Sequence, residues 1–162
     1  MALLQIISGG QTGADRAGLI AARAADIKTG GWMPMGFLAN DGEHPEFAER
    51  YGIVEMSSKR FPPRTAMNVT ESDGTLRFAT HWESPGELLT LKLCKKYRKP
   101  FLDIAPGGQH TPHDVAAWIA ANDIRVLNVA GNAEQTSPGI QEFVVDFLSD
   151  VFRLLLLSAP AA

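Results

Sequence analysis

Three stretches of this sequence place a hydroxyl next to glycine at what read as helix starts. They are Ser8-Gly9-Gly10-Gln11-Thr12-Gly13, Ser84-Pro85-Gly86-Glu87 and Ser137-Pro138-Gly139. A glycine inside a first helical turn costs roughly 1 kcal/mol relative to alanine, and such a helix often leaves its backbone open to close approach. The free N–H groups and the positive end of the macrodipole at that point favour an anion, phosphate above all. Ordinary cap chemistry accounts for the same residues. Thr12 to Asp15, Ser84 to Glu87 and Thr111 to Asp114 all have capping-box spacing, and Pro85, Pro112 and Pro138 suit a first helical position. Both readings stand. The loops are neither of the common phosphate signatures: no lysine follows Gly13 or Gly18, and the spacing of Gly9, Gly10 and Gly13 is wrong for a dinucleotide fingerprint. Gly30-Gly31-Trp32 also stands where that fingerprint needs an acid.

Charged and planar side chains nearby are candidate partners for such a ligand. Arg16 follows the first loop, and a guanidinium there can fork onto a phosphate or pair with an acid such as Asp15. A phosphate contact predicts that Arg16→Ala weakens binding by roughly 10- to 100-fold. Arg64, Thr65 and Asn68 bring a guanidinium, a hydroxyl and an amide to one short helix, a set suited to an oxyanion or a heterocycle edge. Asp73-Gly74 precedes a buried strand, where the carboxylate either faces the site or structures a turn. Trp32 can cover a flat ring, or serve as core. Glu87 and Asp73 are the alternative catalytic acids. His44, His81, His110 and His113 complete no zinc spacing, so no metal site is expected. Cys94, amid Leu88, Leu89 and Leu91, reads as a small buried hydrophobe.

The elements that must position these residues alternate. Leu3–Ser8, a short strand near Gly31–Met33, Thr75–Ala79, Pro100–Ile104 and Ile124–Val129 read as buried strands. Helical patterns run from Ala14 to Asp26, Pro63 to Thr70, Gly86 to Tyr97, Pro112 to Ala121 and Gly139 to Leu156. The predicted fold class is α/β, a Rossmann-like three-layer sandwich with a mostly parallel sheet of about five strands. Residues 28–70 carry many turn signals and are too long for an idle loop. The 162 residues suit a single domain over 1–162. A net charge of −3 argues against a nucleic-acid partner. No apolar run is long enough for a membrane span, and no signal peptide is expected. A cytoplasmic location is expected. Leu154–Leu157 closes the last helix against the core or a second subunit, and a homo-oligomer is the expected assembly; fraying is expected from Ser158 to Ala162.

The string Ser8-Gly9-Gly10-Gln11-Thr12-Gly13-Ala14-Asp15-Arg16-Ala17-Gly18 resembles the opening of the molybdenum carrier family, the circularly permuted YpsA-like branch of the SLOG superfamily. The resemblance continues through Gly30-Gly31-Trp32, Arg64-Thr65 with Asn68, Ser72-Asp73-Gly74, Asn128-Val129-Ala130-Gly131 and Ser137-Pro138-Gly139-Ile140. It implies a Rossmann-like carrier that binds molybdenum cofactor (molybdopterin) or a related phosphorylated pterin or nucleotide, with Gly131 among the ligand-binding positions. Related SLOG branches bind nucleotides, and some cleave an N-glycosidic bond with a Pro-Gly-Gly-x-Gly-Thr-x-x-Glu signature. Ser84-Pro85-Gly86-Glu87 echoes only part of that string. A nucleotide N-glycoside hydrolase and a nucleotide-sensing module are therefore the alternatives.

Overall fold

The structure, a computed structural model, describes residues 2–160. Short apolar segments with no polar face can pair only where both faces are covered, and the sheet meets that need by being parallel throughout. Its strands are β1 (Gln5–Ile7), β2 (Lys28–Met33), β5 (Ile53–Glu55), β6 (Gly74–Phe78), β7 (Phe101–Ile104) and β8 (Val126–Gly131), in the order β5-β2-β1-β8-β6-β7. A separate hairpin pairs β3 (Leu38–Ala39) with β4 (Gly42–Glu43). The sheet thus has six strands where the sequence suggests about five. The addition is β5, three residues whose periodicity is too brief to read and whose entry is a left-handed Gly52 with φ 70°.

Helices α1 (Ala14–Ala24), α5 (Pro112–Ala121) and α6 (Ile140–Ser158) share the main core, in which Ile6, Leu76, Phe78, Leu127 and Val129 from the strands meet Val144, Phe147, Leu148 and Phe152 from α6. Small residues let α1 lie close: a Cβ at Gly18 would run into the Val129 side chain. Helices α3 (Phe61–Thr70) and α4 (Pro85–Lys96) pack with Val69, Leu93 and Cys94 in a second cluster. The five-residue helix α2 (Phe47–Tyr51) caps a third, with Leu19, Met33 and Ile53. Residues 28–70 are therefore structured, with two strands of the main sheet, a hairpin and two helices inside them. Helix α3 begins two residues before its expected start, with both prolines in its first turn, where their missing N–H groups cost nothing. Helix α6 ends at Ser158; the expected fraying beyond it extends to 161 and 162, which lie outside the described residues.

Of the three capping boxes the spacing suggests, Thr111–Asp114 forms fully, with Thr111 Oγ1 accepting from Asp114 N and Asp114 Oδ2 accepting from Thr111 N. The N-cap of α1 is instead Gly13, at φ 85°, and Thr12 Oγ1 donates to Gln135 Oε1 at 2.9 Å. At α4 the Ser84 hydroxyl meets the Glu87 carboxylate rather than a backbone N–H. The end of β8 is equally constrained. Gly131 has φ 150°, and a Cβ there would press on the Phe78 carbonyl oxygen. Gly131→Ala is expected to cost about 2 kcal/mol, from backbone strain and overpacking together. A urea midpoint lowered at unchanged slope would register it.

Candidate functional site

In open parallel sheets, loops that leave the carboxyl ends of adjacent strands converge, and ligands bind where they do. Here the loops after β1 and β6 and the end of β8 meet helices α3 and α4 around one crevice. It encloses about 60 Å³ and is lined by Gly9, Gln11, Asp15, Arg64, Thr65, Asn68, Gly86, Glu87, Thr90, Asn128, Ala130 and Gly131. That is space for a few waters or one small group, well below the roughly 300 Å³ of a drug-sized pocket. A larger ligand must leave most of itself outside.

The sequence places two acids and one base at its heart. Asp15 sits in the first turn of α1 and is 4% exposed. Its Oδ2 accepts from Gln11 N at 3.4 Å and from Arg64 Nη1 at 3.3 Å. Burial raises the Asp15 carboxyl above its ordinary range, although Arg64, the Gln11 N–H and Arg16 pull it back. Arg64 lies across Gly9, so closely that a Cβ on Gly9 would collide with its guanidinium, and it stacks over the Phe61 ring at 5.4 Å. Its Nε is buried without a partner. Opposite, Glu87 is 3% exposed. Its Oε2 accepts from Ser84 Oγ and Asn132 Nδ2, each at 3.1 Å. Burial pushes the Glu87 carboxyl up to about 7, and the nearby Asp15 charge adds to the rise.

Supporting contacts fix this geometry. Asn132 Oδ1 accepts from Thr80 N and His81 N, while its Nδ2 reaches His81 O and Glu87. Arg77, buried within β6, grips Asp103 through two 2.7 Å bonds and donates to the Glu87 carbonyl at 2.8 Å. Asn68 clamps the backbone of β2, accepting from Trp32 N and donating to Trp32 O. Thr65 Oγ1 donates to Phe61 O.

The three glycine-bearing helix starts differ in what their N–H groups do. In the first loop, Gly10 N donates to Ser8 Oγ, Gln11 N to Asp15, Thr12 N to Gln11 Oε1, Gly13 N to Gln141 Oε1 and Ala14 N to Asn132 O. At the start of α6, the Glu134 carboxylate accepts from Gly139 N and Gln141 N, so a side chain already plays the anion. Ser137 Oγ pairs with Thr80 Oγ1. At α4 neither Gly86 N nor Glu87 N has an acceptor, and the space beside Gly86 is open.

The remaining candidates lie elsewhere. Arg16 forks onto Asp41 with bonds of 2.6 and 3.0 Å and also donates to Gly10 O, outside the crevice. That bond from Arg16 is the main reason the Asp41 carboxyl lies far below its usual range. Asp73 and Gly74 are at the amino end of β6, the opposite edge of the sheet; Asp73 Oδ2 accepts from Arg125 N and Val126 N at the entry to β8. Trp32 is half-buried on β2. Among the described residues, no group of three or more His, Cys, Asp or Glu could hold a metal ion. Burial raises the Cys94 thiol above its ordinary value. Asp15, Asn128, Asn132 and Thr90 escape a sequence reading focused on loops. The one local signal is that Asn128 and Asn132 bracket Gly131 at the end of β8.

A parallel six-stranded α/β sandwich with its crevice at the carboxyl edge defines a Rossmann-like fold. The chain belongs to the circularly permutated YpsA SLOG family, whose model matches residues 6–152. It is also similar to a crystal structure of a "Putative molybdenum carrier protein" from Syntrophus aciditrophicus SB. The two are 39% identical, with a TM-score of 0.84 over 93% of this chain and 95% of that one. None of the curated proteins matches the chain. No helix among the described residues is long and apolar enough to cross a membrane.

Proposed function

We propose that this protein is a carrier that holds a phosphorylated ligand of the molybdenum-cofactor kind at the carboxyl edge of its sheet. The observation that carries this reading is the start of α4, whose unpartnered Gly86 and Glu87 N–H groups share one crevice with Arg64. Two free N–H groups at a helix start and a guanidinium are a phosphate site by their chemistry. The partners among the expected residues are therefore Arg64, Ser84 and Gly86. Gly9, Gln11 and Gly131 shape the floor, and Arg16 has a support role through Asp41. The similarity to a protein named as a molybdenum carrier supports the same class of ligand. Molybdenum cofactor is a phosphorylated pterin; the crevice would take its phosphate and one edge of the ring while the remainder stays outside. Isothermal titration with a phosphorylated pterin and its dephosphorylated form tests the reading. At least a tenfold preference for the phosphorylated form is expected, and equal affinity would reject the phosphate site.

One observation favours a second reading, nucleotide N-glycoside hydrolysis. Glu87 and Asp15 are two buried carboxyls in one crevice, and Glu87 at about 7 is in the range of a general acid. A chromatographic assay over nucleoside monophosphates decides it. Free base that disappears in Glu87→Gln would establish the hydrolase, and no release over a day would exclude it.

A further inference from the structure

The inner end of the crevice has a chemistry opposite to its mouth. Gly86 at the mouth is exposed, whereas Asp15, Glu87 and Asn128 are all at least 96% buried. Both hydrogen bonds to the Asp15 carboxylate fall on Oδ2, and both to the Glu87 carboxylate fall on Oε2. Asp15 Oδ1 and Glu87 Oε1 accept none, and neither is sealed from the crevice. Asn128 uses its Nδ2 on Thr75 Oγ1, which leaves its Oδ1 unpartnered as well. Three residues with an unpartnered acceptor thus line one narrow space, whose lining holds a single cation, Arg64. An anion placed there would meet two carboxylates at close range, which is repulsive.

We propose that this inner end binds an edge carrying adjacent N–H donors, the amidine-type edge shared by pterin and guanine rings, with Asp15 and Glu87 as its acceptors. The inference rests on the ligand-carrier reading above and adds an orientation to it: ring edge inward, phosphate outward at Gly86 and Arg64. A volume of about 60 Å³ admits a ring edge and not a whole ring, so recognition falls on the donors along that edge. A ligand filling the crevice would displace water from these acceptors, and an edge with two N–H groups supplies donors to two of them at once. Burial has already pushed both carboxyls upward, and donors directed at them would offset that.

Paired ligands that differ only in the amino group read this directly. Pterin is titrated against lumazine, which has a carbonyl in place of the amino group, and guanosine monophosphate against inosine monophosphate, which lacks it. At least a tenfold preference for the amino-bearing member of one pair is expected, and the pair that shows it tells pterin from purine. The preference should fall below threefold in the folded Glu87→Gln, Asp15→Asn double variant, whose amides offer donors as well as acceptors. Equal affinity within both pairs, no binding of either amino-bearing ring at 1 mM, or a preference that survives the double variant would overturn the inference. Pyrophosphate, which has no ring, reads the mouth alone. Pyrophosphate binding without ring discrimination would fail the inference and leave the phosphate reading; discrimination without pyrophosphate binding would do the reverse.

Discussion

Replacing Arg64 with alanine is expected to weaken binding of the phosphorylated ligand 10- to 100-fold, the roughly 1.5–3 kcal/mol of a charge-assisted hydrogen bond. The expectation follows from how loosely Arg64 is held. Its one bond to Asp15 is 3.3 Å long, and its Nε is buried without a partner. A guanidinium with capacity left over can fork onto a phosphate without giving up a strong pair. Lysine supplies a point charge in place of a fork, so Arg64→Lys should recover only part of the loss. Arg16 is the control. Its Nε is likewise without a partner, but both its Nη atoms are committed, to Asp41 and Gly10 O, over the face of Phe47 and outside the crevice, so Arg16→Ala should change affinity less than threefold. Titration calorimetry on folded variants measures both, and Arg64→Ala within threefold of the parent would remove Arg64 from the site.

The second large effect concerns stability and pH. Glu87 titrates near 7 in the folded chain against 4.5 for an ordinary glutamate. Below about pH 4.5 both states hold the proton and nothing changes. Between 4.5 and 7 the unfolded chain has lost it while the folded chain keeps it, so stability falls as pH rises. The loss levels off above 7 at about 3 kcal/mol. Asp15, raised in the same direction, adds to the slope. Asp41, Glu46 and Asp114 are lowered, and their contributions are lost only as pH falls below the ordinary carboxylate range. Glu87→Gln should therefore flatten the decline and stabilise the protein above pH 7. Melting curves from pH 5 to 8 would show this, and an unchanged slope in the variant would contradict the protonation assigned to Glu87.

Strands β1, β7 and β8 were legible because each is a short apolar run closed by glycine or a turn, and Arg64, Thr65 and Asn68, read together on one short helix, all line the crevice. Other features depend on contacts that no local pattern encodes. Gly13 N is bonded to Gln141, 128 residues away, and Thr12 to Gln135, 123 residues away. Gln141 thus takes an N–H group, and Gln135 a hydroxyl, of the loop that looks like an anion cradle in sequence. Glu134 does the same for α6 from outside the Ser137–Gly139 string. Asp15 was legible as an acid at a helix start, but a cap and a buried site carboxylate look the same in sequence. Asp73, read as either facing the site or structuring the backbone, lies away from the crevice for a topological reason: it precedes its strand, whereas the crevice is at the carboxyl edge of the sheet. The six-stranded order required β5, whose three residues gain their partner only through α2 and the turn at Gly52.

A phosphorylated ligand of the molybdenum-cofactor kind held in this crevice is expected to co-purify with the protein. Native mass spectrometry with elemental analysis of gently purified protein tests it most directly. Phosphorus and molybdenum at near-equal stoichiometry to the protein, with a mass that matches a bound pterin, is the predicted result. Phosphorus without molybdenum, carried by a nucleotide that the protein cleaves to free base, would contradict it.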